Sequence, residues 1–153
     1  MRIFVFLHVA TMFAAVAASL GPGYLLHHIG RTGDVPTIRR VFALAAPLGK
    51  AIPILFTSGA ALGIVAIFTN GWNRFEPFLV IAYVMFAMAA VTGSTVNGPW
   101  QRRVTQLAAE SPDDAPSPEL TAALNDPRMA AIDWFDRLII VAFIFDMVVK
   151  PFS

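Results

Sequence analysis

Four apolar stretches, each long enough to cross a bilayer, take up most of this 153-residue chain and restrict what it can fold into. They cover residues 3–23, 48–69, 77–98 and 129–149, counted to within a residue or two. With 57% hydrophobic and only 14% charged residues, the chain lacks the polar surface to clothe a soluble globule of this size. The runs are continuous rather than alternating, which argues against transmembrane strands. The expected fold is all-α: a membrane-embedded four-helix bundle forming one domain over residues 1–153, its first partner the lipid bilayer itself.

A formal net charge of +1 argues against nucleic acid as a partner. The absence of cysteine removes disulfides, thiolate metal sites, iron–sulfur clusters and thiol nucleophiles. Residues Met1 to Ser19 resemble a signal peptide, with Arg2, an apolar run and the small residues Ala15, Ala17 and Ser19. Their removal would leave three spans, so the stretch is read as a retained helix.

Punctuation along the chain is clear. Gly21-Pro22-Gly23 should loosen or kink the first span near its far end. Arg31-Thr32-Gly33-Asp34 forms a polar turn, and Asp34 should cap a short helix opened by Pro36, with Arg39 and Arg40 at the headgroups. Asn70-Gly71 is a turn signal, and Trp72 and Phe75 suit an interfacial aromatic belt. The third span should stop at Gly98-Pro99-Trp100. A polar segment over residues 101–126 follows, flexible around Ser111-Pro112-Asp113-Asp114-Ala115-Pro116, with one short helix opening at Ser117-Pro118-Glu119. Asp126-Pro127 should cap the last span. Basic residues set the orientation. Arg31, Arg39, Arg40, Arg102, Arg103 and Arg128 lie on one side, with Lys50 and Arg137 close by, against Arg2, Arg74 and Lys150 on the other. The two longer connections should therefore be cytoplasmic and both termini extracytoplasmic.

Helical spacing suggests an inward face on each span. Tyr83, Ala87, Ala90, Ser94 and Asn97 form a small and polar stripe in the third; His8, Met12, Ala15 and Ser19 form one in the first. Gly59 and Gly63 make a small-xxx-small pair in the second, a motif whose commonest use is packing. His8, Tyr83 and Asp146 share a depth of about 7–8 Å from the outer ends of their spans, at roughly 1.5 Å per residue. Ionisable groups at membrane depth are functional suspects. A His8–Asp146 hydrogen bond with Tyr83 nearby would relay a proton, orient a quinone headgroup or support a metal or haem ligand. The plainer alternative has Asp146 pairing with Lys150, four residues on, while His8 bonds a neighbouring carbonyl. All three histidines lie on the first helical segment, with His8 and His27 roughly 28 Å apart along it, so they cannot ligate one iron together. A b-type haem would need His8 with a methionine, a single ligand or a second subunit. On the inner side, Asp133 and Arg137 have the spacing of a helical ion pair, leaving Asp136 to meet Lys50 across the bundle. That cluster either pins helix ends or gates a substrate or proton. No nucleophile with its base, phosphate loop or metal cage is recognisable.

An early Leu7-His8, the Arg31-Thr32-Gly33-Asp34 connection, Thr57-Ser58-Gly59 inside the second span and the ending Asp146-Met147-Val148-Val149-Lys150-Pro151 together resemble an uncharacterised bacterial family of predicted integral membrane proteins, catalogued as a domain of unknown function. The resemblance implies four transmembrane helices in a bacterial cytoplasmic membrane and carries no activity. The functional expectation is a non-enzymatic accessory or assembly subunit, associating with other membrane subunits or with itself. A haem- or quinone-binding redox protein using His8 is one alternative; a small transporter or proton pathway is the other.

Overall fold

The computed structural model describes residues 2–150, apart from the side chains at positions 21–23 and 27. Every regular element among the described residues is a helix, with no strand. Helix α1 runs over Arg2–Gly30 and α2 over Val35–Asn70. Helix α3 (Pro77–Thr92) passes through a π-helical turn (Gly93–Asn97) directly into α4 (Gly98–Glu110), making one rod. A short α5 (Pro118–Leu124) and a final α6 (Pro127–Val149) complete the chain. By length and composition, α1, α2 and the α3–α4 rod are each fit to cross a membrane. The residues at 21–23, expected to interrupt the first span, lie within α1; their side chains fall outside those described.

The ends of these helices follow from local chemistry. Asp34 Oδ1 accepts the Thr37 backbone N–H at 3.2 Å while Oδ2 accepts the Thr37 hydroxyl at 2.5 Å, closing the start of α2 beside Pro36. The carboxylate is fully exposed, and these Thr37 bonds hold its pKa below the ordinary carboxylate value. Gly71 adopts the left-handed conformation (φ 68°) that ends α2. Ser117 accepts from the Leu120 N–H, and Asp126 from the Arg128 N–H at 2.9 Å.

Two expectations are overturned. The short helix at Pro36 and the second span are one helix, and the third span does not stop at Gly98-Pro99 but continues helical to Glu110. Pro99 directly follows the π turn, where the Gly98 N–H reaches back five residues to the Gly93 carbonyl, and the widened turn lets the rod continue past the proline. The resulting rods contain 36 and 34 residues, about 54 and 51 Å long. Both overrun a hydrocarbon core of about 30 Å by more than 20 Å.

That overrun is where the chain packs like a water-soluble protein. Val35, Ile38, Phe42 and Ala45 recur at helical spacing on α2 and meet Val104 and Ala108 of α4, Leu120, Ala123 and Leu124 of α5, and Leu26 of α1. The Trp100 indole lies 6.2 Å from the Phe42 ring and donates its N–H to the Ala123 carbonyl at 2.9 Å. Arg39 turns onto the end of α4. Its Nε donates to the Ala108 carbonyl at 2.7 Å, one terminal nitrogen to the Ser111 carbonyl, and the other pairs with Asp113 at 2.5 Å. A guanidinium there satisfies carbonyls that a helix C-terminus leaves without partners. Ser111 is buried and its hydroxyl bonds the Leu107 carbonyl and the Ser117 N–H, so both ends of the 111–117 connection are tied down.

Within the apolar half, α1 lies along α2 more extensively than any other pair of helices touches. The Gly59/Gly63 pair is the reason. A Cβ added at Gly59 would sit 2.6 Å from Met12 Sδ, and one at Gly63 would sit 2.9 Å from the His8 ring. Small residues here let the two backbones approach. Ala15 is fully buried on the same face of α1. Phe56 and Phe86 bring α2 and α3 together, with ring centroids 6.4 Å apart. Contact between α3 and α6 holds the last helix.

Candidate functional site

The best-developed polar site joins α6 to the π turn. Asp136, half-buried on α6, accepts the Asn97 amide at 2.6 Å and the Thr92 hydroxyl at 3.1 Å. Five residues separate the two donors. In a regular α-helix that spacing leaves side chains roughly 140° apart. The π turn, whose hydrogen bonds run from i to i+5, brings them to one face. Asp133 and Arg137 form the expected i, i+4 ion pair at 2.5 Å on α6. Asp136 does not meet Lys50, which is exposed and forms no ion pair among the described residues. The π turn has already satisfied that carboxylate, so it has no need of the lysine. Beside this cluster is a cavity of about 160 Å³ between α1, α2, the π turn and α6, its polar lining supplied by Ser19, Asn97, Gln101, Asp133, Asp136 and Arg137.

Toward the opposite end of the bundle, His8 Nδ1 lies 2.7 Å from the Gly59 carbonyl. A carbonyl only accepts, so Nδ1 carries the hydrogen and donates it. Asp146 is 2% exposed, and neither of its carboxylate oxygens has a hydrogen-bond partner among the described residues. Tyr83 is 44% exposed. No hydrogen bond joins any two of the three among the described residues. Lys150 donates its backbone N–H to the Asp146 main-chain carbonyl at 3.0 Å, but its ammonium forms no ion pair with the Asp146 carboxylate. It ends α6 in a left-handed conformation (φ 49°), with its ammonium over the rings of Trp72 (5.0 Å) and Phe78 (5.3 Å). His28 stacks on Tyr24, centroids 6.3 Å apart, while the His27 side chain lies outside those described.

The stripe expected to face inward on α3 faces outward. Tyr83, Ala87, Ala90 and Ser94 are all exposed, and the buried positions are Phe78, Leu79, Ala82 and Met85. Ser94 bonds back to the Ala90 carbonyl of its own helix. Of the stripe, Asn97 alone turns inward, because the π turn adds a residue and rotates the face. Sequence reasoning missed Thr92 and the bonds of Arg39 to the end of α4. The pair Thr92 and Asn97 carried a signal, two polar side chains five apart around a glycine inside an apolar run. Arg39 carried none.

Comparison with protein-family models, with curated proteins and with solved structures finds no match for this chain.

Proposed function

We propose that this chain crosses a bacterial cytoplasmic membrane four times and serves there as an accessory or assembly subunit of a larger membrane complex. Helix α6 is the fourth crossing. Its 23 residues reach about 34 Å, enough for the hydrocarbon core. Its charged residues are compatible with that position because Asp133 pairs with Arg137, Asp136 bonds the π turn and Asp146 is buried away from lipid. The end bearing Arg31, Arg39, Arg40, Arg102, Arg103 and Arg128 faces the cytoplasm and both termini face outward.

One observation carries the functional reading: the exposed face of α3 formed by Tyr83, Ala87, Ala90 and Ser94. Lipid tails need no small residues to pack against, whereas a second helix does. The chain has no cysteine, so single cysteines can carry a photo-crosslinker. A benzophenone on Ala87→Cys or Ala90→Cys captures a membrane protein in native membranes; the same label on Phe13→Cys, 75% exposed on α1, does not. Equal capture at all three positions, or none on α3, removes the proposal. The mass of the adduct separates a second copy from another subunit.

The polar cavity beside Asp136 favours a second reading, a small proton or solute pathway. It requires Asp136→Asn to abolish flux in liposomes, and unchanged flux rejects it.

A further inference from the structure

A second hollow, of about 220 Å³, opens between the last turns of α1 and the first turns of α6. Tyr24, His28 and Arg31 line it from one side; Asp133, Trp134 and Arg137 line it from the other. We propose that this groove binds the phosphate of an anionic phospholipid headgroup.

The charge balance points to an anion. Two guanidinium groups face a single carboxylate, before any contribution from His28. Arg137 gives one terminal nitrogen to Asp133 and keeps further N–H donors. Its guanidinium lies 5.8 Å from the Tyr24 ring and 5.4 Å from the Trp134 ring, so two aromatic faces hold it in place. Arg31 is exposed and forms no ion pair among the described residues. Two of the last carbonyls of α1, which would repel an anion, are already engaged: the His28 carbonyl by the Arg31 N–H and the Ile29 carbonyl by the Thr32 N–H and hydroxyl.

The level fits a lipid rather than a dissolved ion. Tyr24 and Trp134 are 63% and 64% exposed, and amphipathic rings of this kind belong at the headgroups. The groove occupies the arginine-rich end, where anionic lipid of the cytoplasmic leaflet meets basic pockets between helices. The proposal rests on α6 lying in the membrane and on no particular function for the chain.

The test uses the full chain in mild detergent, titrated with phosphatidylglycerol or with phosphatidylcholine of the same acyl chains, read by native mass spectrometry. Phosphatidylglycerol is retained preferentially, and Arg31→Ala lowers its retention about fivefold. Arg74→Glu, at the opposite end of the bundle, leaves retention unchanged. Equal retention of the two lipids overturns the proposal, as does an effect of Arg74→Glu matching that of Arg31→Ala. Displacement of the lipid by inorganic phosphate, at matched ionic strength, would assign the groove to free phosphate and also overturn it. Arg31→Ala is the chosen variant because this side chain makes no hydrogen bond or ion pair among the described residues, whereas Arg137 also anchors Asp133.

Discussion

The two ends of this molecule are built on different rules. At the arginine-rich end, ten residues from α1, α2, α4 and α5 bury one another in a closed core, ringed by Trp100, Arg39 and their bonds to main-chain carbonyls. Along the apolar rods burial is sparse, limited to positions such as Ala15 and a small cluster of Ile67, Phe78 and Leu79. Only 6% of the most apolar window of α1, and 17% of that of α2, is covered by the rest of the chain. Water makes apolar exposure costly, so a water-facing end must build a core. Lipid removes that driving force, and close backbone approach and a few polar bonds hold the helices instead.

Substitutions can break or sharpen this contrast. The largest effect belongs to the closed core. Phe42→Ala, at a position 1% exposed, should cost about 3–5 kcal/mol, whereas Val148→Ala, 75% exposed on α6, should stay within about 0.5 kcal/mol. Unfolding in mixed micelles measures both, and similar costs would erase the distinction. Next comes Arg39→Ala, which strips the end of α4 of its partners. We expect a loss of about 2 kcal/mol, already reduced for a side chain one-third exposed, with faster hydrogen exchange over residues 107–117. Unaltered exchange there would mean that the apolar core alone holds the connection.

In the rods the effects are smaller. Gly63→Ala pushes the His8 ring off the Gly59 carbonyl and should cost about 1 kcal/mol. Gly59→Ala meets the flexible thioether of Met12, which can move aside, so it should cost less. The reverse order would show that the His8 bond contributes little. The smallest effect is at Asp34. Its folded pKa is lowered by the Thr37 bonds, so its contribution is complete above the unfolded value and is lost as pH falls through the folded one. Protection of the Thr37 amide should decline on acidification through that range. Asp34→Asn should show no such decline.

Much of the helical outline was legible beforehand. Asp34-Val35-Pro36, Asn70-Gly71, Ser117-Pro118 and Asp126-Pro127 mark helix ends through chemistry confined to a few neighbouring residues, and each acts as expected. The glycine pair, the inward stripe of α1 and the Asp133–Arg137 pair were legible for the same reason, a fixed helical period. The inner face of α3 was not. In an apolar helix every side is oily, so the sequence lacks the polar–apolar contrast that marks the inside of a soluble helix. The small residues pointed one way and the packing went the other.

The amino-acid order alone determined that the chain is made of long apolar helices, where most of them begin and end, and which end carries the arginines. These depend on interactions within one or two turns, or on composition summed over a span. The tertiary structure decided that Asp136 bonds Thr92 and Asn97 rather than Lys50, that Arg39 closes the end of α4, and that the Asp146 carboxylate is buried with no hydrogen-bond partner among the described residues. Each of those outcomes depends on which helix lies opposite, and the bonding of Asp136 also on the extra residue of the π turn, so a local stretch of sequence does not fix any of them.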